Sequence, residues 1–251
     1  MIMSKFIWNN NTIFYREKGQ GPLLIVLPGN TASSAAHEPE LERFASDFHT
    51  VAIDFIGTGQ SQRISPWPVD WWRQGALQVA ALIDHLGHRN AILLGTSGGG
   101  IVALLAAIFF PQKIKAVIAD SCVMSFTPAM ARHNVVEERA LQSEEQVQFW
   151  SAMHGDDWRD VVAEDTAMIV RFADQIEECF EGKLPEISCP ALLTFSRKDS
   201  HLPKVMDQAL AMATHIPNCS LYIDRDGEHP MMWTVPGAFW TQVDHFLERL
   251  A

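Results

Sequence analysis

Ala91-Ile92-Leu93-Leu94-Gly95-Thr96-Ser97-Gly98-Gly99-Gly100, followed by the apolar run 101–110 and Pro111, is the stretch on which the reading of this chain turns. A short apolar strand runs straight into a helix, and one serine stands at the bend among glycines. Such a bend pushes a hydroxyl out at the carboxyl end of a sheet, with crowding relieved because positions 95 and 99 carry no side chain. Alone, the stretch also fits a glycine-rich strand-to-helix turn with a bystander serine.

Outward from it, the same alternation repeats. On the N-terminal side, Asn9-Asn10-Asn11 sits between the apolar segments 6–8 and 12–16, and asparagine tolerates the positive φ of a tight hairpin. Leu23–Leu27 is a continuous apolar run ending at Pro28-Gly29, as expected of a strand covered on both faces. A helical pattern over 38–48 leads to a buried strand over 50–54 and then to Gly57-Thr58-Gly59-Gln60-Ser61, which reads as a structural turn beneath the site. No lysine follows that turn, as a nucleotide loop requires. Asp70 is placed to cap a helix running to Leu86, with Leu77, Ala81 and Leu82 on one face. On the C-terminal side, strands are predicted over 114–119, 191–195 and 221–223, and a closing helix over 237–250. Alternating strands and helices imply a mostly parallel, eight-stranded sheet flanked by helices on both faces.

The pattern changes between Cys122 and Pro190. Phe126, Met130, Phe149, Trp150, Met153, Trp158, Met168 and Phe172 recur at helical spacing among acidic residues, and no strong strand appears. This is the expectation for an inserted helical cap over 125–187, with 1–124 and 188–251 forming the core. No internal repeat or low-complexity tract interrupts the 251 residues, a length suited to one domain with an insertion.

Composition narrows the class. Hydrophobic residues make up 47% and charged residues 20%, the balance of a folded enzyme. The net charge of −11 repels phosphate backbones and anionic lipid, so neither nucleic acid nor a membrane surface is an expected partner. The first eleven residues lack the apolar core of a signal peptide, and the run 101–110 is too short to span a bilayer, so a cytoplasmic location is expected. Cys122, Cys179, Cys189 and Cys219 are scattered without paired spacing. His85 and His88 lack a convergent third ligand and read as a solvated helix face rather than a metal site.

A serine hydroxyl needs a neighbouring base, usually a histidine oriented by a carboxylate. Loops at the carboxyl ends of parallel strands are where distant side chains converge. Asp199 follows the strand at 191–195, ahead of Pro203, and His229 follows the strand at 221–223 within Gly227-Glu228-His229. Asp120, at the end of the strand at 114–119, competes for the acid role, and His201 competes as base from a solvent-facing loop; Asp199 and His229 are preferred. Gly98 supplies one backbone N–H for an oxyanion by its position after the serine.

The elbow Gly95-Thr96-Ser97-Gly98-Gly99, the stretch Asp54-Phe55-Ile56-Gly57-Thr58-Gly59-Gln60-Ser61, Asp199 with Pro203, and Gly227-Glu228-His229 resemble, in this order, the motifs of the α/β-hydrolase superfamily. The resemblance covers nearly the whole chain. It implies the α/β-hydrolase fold with a catalytic triad of Ser97, Asp199 and His229, and an oxyanion hole of the Gly98 and Asn30 backbone N–H groups, with Thr31 as the alternative donor. Pro28 stands where the family usually has histidine. The cap segments around Trp150 and Trp158 are similar to those of valacyclovir-hydrolase-like ester hydrolases. Serine at position 97 disfavours epoxide hydrolase or dehalogenase chemistry, which needs a carboxylate there.

The expected activity is a serine esterase, cleaving a small, partly apolar carboxylic ester through an acyl-enzyme without metal or organic cofactor. Trp71, Phe126, Trp150 and Met231 are the expected substrate-pocket residues. Alternatives on the same triad are a carbon–carbon bond hydrolase, lactonase, amidase or perhydrolase; outside catalysis, the alternative is a ligand-binding protein of the same fold.

Overall fold

The computed structural model describes residues 1–202 and 204–250; Pro203 lies outside the described residues. Among them the strands are β1 (Ile2–Trp8), β2 (Asn11–Lys18), β3 (Leu23–Leu27), β4 (His49–Ile53), β5 (Ala91–Thr96), β6 (Ile114–Asp120), β7 (Ala191–Ser196) and β8 (Cys219–Asp224). They form one eight-stranded sheet in the order β1-β2-β4-β3-β5-β6-β7-β8. β2 runs antiparallel to both neighbours, and every pairing from β4 to β8 is parallel. The β1–β2 hairpin turns at Asn9 and Asn10, both at positive φ (47° and 63°), as the asparagine pair predicts.

The central strands read as unbroken apolar runs because both faces are covered. Successive side chains point to opposite faces, so Leu23, Ile25, Leu27, Leu93 and Val117 join the core on one side. Leu24, Val26, Ile92, Leu94 and Ile118 join the core on the other. The first core is covered by α2 (Trp71–His85), α3 (Gly98–Phe109) and α8 (Val205–His215), and the second by α1 (Glu38–Phe44), α9 (Met231–Thr234) and α10 (Pro236–Glu248). Helix α3 is apolar all round because it is buried all round: every residue from Gly98 to Ile108 is buried.

Three local expectations are corrected. Helix α1 ends at Phe44, with Asp47 and Phe48 N–H folding back onto the Phe44 carbonyl. Asp70 precedes α2 without capping its backbone; its carboxylate accepts from Gln74 Nε2 at 2.9 Å. Leu77 is exposed, and the apolar face of α2 is built on Trp72, Ala76, Val79, Leu82 and Ile83.

Residues 128–175 are mostly helical and lie across the carboxyl ends of the strands. They comprise α4 (Pro128–Met130), a π-helical stretch (Ala131–Glu137), α5 (Glu138–Ala140), α6 (Glu144–His154) and α7 (Trp158–Gln175). The Ser143 hydroxyl accepts from Gln146 N–H and the Gln146 side chain accepts from Ser143 N–H, a capping box that starts α6; Gly155, at φ 81°, ends it. Helix α7 buries Trp158, Val161, Val162, Met168, Ile169 and Phe172 at helical spacing, and in the same stripe it buries Asp165.

Candidate active site

Ser97 sits between β5 and α3 with φ 52° and ψ −122°, a conformation non-glycine residues adopt only when the surroundings enforce it. Enforcement comes from both sides: Ser97 N–H donates to the Asp120 carbonyl at 2.8 Å, and the Ser97 carbonyl accepts from Gly100 N–H at 2.9 Å. The flanking glycines let the helix approach the sheet. A Cβ on Gly95 would stand 2.1 Å from the Gly99 oxygen, and one on Gly99 would stand 2.0 Å from the Leu27 oxygen.

The loops after β7 and β8 bring Asp199 and His229 to this serine. His229 Nε2 lies 3.1 Å from Ser97 Oγ, and His229 Nδ1 lies 2.7 Å from Asp199 Oδ2. A carboxylate only accepts, so Nδ1 carries the proton, Nε2 is the lone pair, and the Ser97 hydroxyl donates to it. The Asp199 side chain is fully buried and its second oxygen accepts from His201 and Leu202 N–H, at 2.9 and 3.2 Å. The His229 side chain is 15% exposed.

Asp120 plays a different part. It is fully buried and accepts from the hydroxyls of Thr96, Ser121 and Thr194 and from Met232 N–H. Burial pushes its carboxyl up to about 6. With Ser121 Oγ accepting from Met231 N–H at 2.9 Å, Asp120 pins the start of α9 directly behind His229, rather than contacting the imidazole. His201 lies beside the ring of His229, with centroids 5.1 Å apart, and is half-exposed with Nε2 3.7 Å from Glu138 Oε1.

The loop after β3 turns over the elbow. Ala32 N–H closes it onto the Gly29 carbonyl at 3.1 Å, and Thr31 takes φ 58°. Gly29 passes close to the serine, since a Cβ there would be 3.1 Å from Ser97 Cβ. Asn30 directs its side chain across Gly98: Oδ1 accepts from Trp72 Nε1 at 3.1 Å, and Nδ2 donates to Asp165 Oδ2 at 2.5 Å. The second Asp165 oxygen accepts from Arg139 at 2.7 Å. Trp150 Nε1 donates to Thr31 Oγ1, and His154 Nε2 donates to the Thr31 carbonyl at 2.9 Å while its Nδ1 accepts from Gly59 N–H at 3.0 Å. The Gly57–Ser61 turn is thus a support, with Asp54 at its centre accepting from Ser34 and Gln60 N–H.

A cavity of about 270 Å³ opens over Ser97 and His229, between the strand ends and the helices over 128–175. Phe126 and Trp150 line it, as expected, together with Val135, Phe149, Ile169 and Trp233. Trp71 and Met231 do not. Trp71 stacks on Trp67 and donates to the Ile56 carbonyl, and Met231 packs with Phe239 and Val243 on the far face of the sheet. The polar lining includes Asn30, Asn134, Glu138, Arg139, Gln146 and His201, of which Asn30 is an expected site residue and His201 the competing base candidate. His85 and His88 part company: His85 stacks on Phe6, and His88 meets His49.

The model of the alpha/beta hydrolase fold family matches residues 22–157, from β3 through the elbow and into the helical segment 128–175. The chain belongs to the α/β-hydrolase fold family. Among its relatives, the serine hydrolase BPHL of Mus musculus is 26% identical over 255 residues, covering 98% of this chain and 86% of that protein. The putative carbamate hydrolase RutD of Pseudomonas syringae pv. syringae is 26% identical over 250 residues, covering 92% and 95%. The crystal structure of the enol-lactonase from Burkholderia xenovorans LB400 superposes with a TM-score of 0.77 at 19% identity, over 98% of this chain and all of that one, and shares its α/β-hydrolase fold. Among the described residues, no helix is long and apolar enough to cross a membrane.

Proposed function

We propose that this α/β-hydrolase is a serine hydrolase that cleaves a small, partly apolar carboxylic ester through an acyl-enzyme. The observation that carries the reading is the unbroken chain Ser97 Oγ, His229 Nε2, His229 Nδ1, Asp199 Oδ2, at 3.1 and 2.7 Å, opening into an apolar-walled cavity.

Ser97 Oγ attacks the ester carbonyl as its proton passes to His229 Nε2, and the charged imidazole is held by Asp199. The tetrahedral oxyanion is received by backbone N–H groups. Gly98 opens helix α3, so its N–H has no carbonyl one turn back to bond, and the Asn30 N–H supplies the second donor. His229 returns the proton to the departing alkoxide and leaves an acyl group on Ser97. A water then gives its proton to His229 and attacks the acyl carbon; the acid departs, and Ser97 recovers its proton. About 270 Å³ of space suits a short acyl group.

A carbamate or amide is the second reading, favoured by the name of the P. syringae relative, a putative carbamate hydrolase. The site offers the same attack on either carbonyl; only the leaving group differs. Steady-state rates on matched p-nitrophenyl acetate, butyrate and carbamate substrates test the proposal. The expected result is turnover of the short esters that is abolished in Ser97→Ala; full esterase activity in Ser97→Ala overturns it.

A further inference from the structure

Asp165 is a carboxylate in a place where packing alone calls for an apolar side chain. It occupies the buried stripe of α7 with Val161, Val162, Met168 and Ile169, and no part of its side chain reaches solvent. A buried carboxylate is costly unless paired, and well-packed apolar residues often stabilise such a position as well or better. Its partners show where its two oxygens are engaged. Oδ1 meets Arg139 Nη1, which also donates to Thr166 Oγ1, and Oδ2 accepts from Asn30 Nδ2.

Asn30 is held with defined polarity. An indole N–H only donates and a carboxylate only accepts, so Trp72 fixes Oδ1 and Asp165 fixes Nδ2. Trp72 belongs to the core helix α2 and Asp165 to the cap helix α7, so one side chain is fastened to both layers. The next residue, Thr31, is fastened to cap helix α6 through Trp150 and His154, and its positive φ is a conformation that needs such support.

We propose that Asp165 is a positioning residue that holds Asn30, and with it the oxyanion-binding turn Gly29–Ala32, in its working geometry, so that seating of the cap and formation of the oxyanion hole are one event. The catalytic part of this inference rests on the serine-hydrolase reading above. Asp165 touches no reacting atom; it acts through the Asn30 side chain on the Asn30 backbone N–H.

The test compares wild type, Asp165→Asn, Asn30→Ala and the double variant. Acylation by p-nitrophenyl acetate is measured in single turnover per titrated active site, alongside thermal melting and amide hydrogen exchange over residues 29–32. A single oxyanion donor is worth about 10²–10³ in rate, and a displaced donor part of that. Each single variant is therefore expected to acylate about tenfold more slowly with KM changed less than twofold. The double variant should be no slower than the worse single one, because both act through the same side chain. A merely structural role lowers the melting temperature while leaving the rate per active site unchanged; that result, or additive rate losses, overturns the proposal. If Asp165→Asn does not fold, Asn30→Ala decides, since it leaves the Asp165–Arg139 pair intact. If the wild type itself is not acylated at Ser97, the serine-hydrolase reading fails, and hydrogen exchange judges the positioning role. Faster exchange confined to 29–32 supports that role, and unchanged exchange overturns it.

Discussion

The side chain of Asn30 fills the space that a Cβ on Gly98 would need, its amide oxygen standing 1.8 Å from where that carbon would lie. Residue 98 is not among the positive-φ positions, so alanine there is not strained by its backbone; the encounter with Asn30, and then with Trp72 Nε1 at 3.0 Å, decides its effect. Asn30 is the end of a movable side chain, so it yields, and its bonds to Trp72 and Asp165 are lost. Gly98→Ala is accordingly expected to fold, to melt within a few degrees of wild type, and to lose about 10- to 100-fold in kcat on short esters. Equal kcat in the folded variant contradicts this.

The two acids at the sheet edge are separable by mutation. Asp199→Asn removes the charge that orients and stabilises the imidazolium, and kcat is expected to fall by about 10³–10⁴. Asp120→Asn sets an amide against hydroxyl donors and Met232 N–H in a fully buried site, so its main effect is on stability, about 2 kcal/mol. Its kcat should stay within tenfold of wild type. Parallel melting curves and rates check the division; a larger kcat loss in Asp120→Asn than in Asp199→Asn reverses the assignment.

His154 predicts an acid-labile contact between α6 and the loops holding Thr31 and Gly59. Burial pushes its imidazole down from 6.5 to about 4. In the window between those values the unfolded chain holds the proton and the folded chain does not. The stabilisation is therefore complete above pH 6.5 and is lost as pH falls toward 4. Asp120 has the opposite sign, because a raised carboxyl near 6 weighs on the fold above that pH and is relieved below it. Comparing wild type with His154→Gln isolates the histidine. The gap in melting temperature should be widest at pH 7 and narrow by pH 4.5; a constant gap contradicts the account.

Trp233 closes one wall of the cavity against Phe149 and is half open to solvent. Trp233→Ala enlarges the space for the substrate without touching the core. The ratio of kcat/KM for p-nitrophenyl octanoate over acetate is expected to rise about tenfold, the worth of one or two methylenes in an apolar pocket. An unchanged ratio places the acyl chain elsewhere.

Most of the fold was legible because its signals are local. Continuous apolar runs beside glycine or proline marked β3 and β5, a β-branched apolar run marked β6, and the glycines at 95 and 99 marked the close approach of α3. The residues that gather around Ser97 stand at strand ends, which order along the chain reveals. Facing is harder: Trp71 and Met231 stand near strand ends but turn into the cores, because proximity in sequence says nothing about the side on which a ring packs. Asp165 and Arg139 are hidden in the sequence for a similar reason, since acids and bases in a helical segment usually mark a solvated face. The signal that singles out Asp165 is its place in the apolar stripe 158–161–162–165–168–169–172, where a lone acid needs a buried partner.

In the proposed reaction Ser97, activated by His229, is the nucleophile. Labelling the folded protein with a fluorophosphonate probe and mapping the adduct by peptide mass spectrometry tests it most directly. One adduct is expected, on Ser97, absent from Ser97→Ala and formed far more slowly in His229→Ala. A folded wild-type protein that stays unlabelled at Ser97, or a Ser97→Ala variant that still turns over esters, would contradict it.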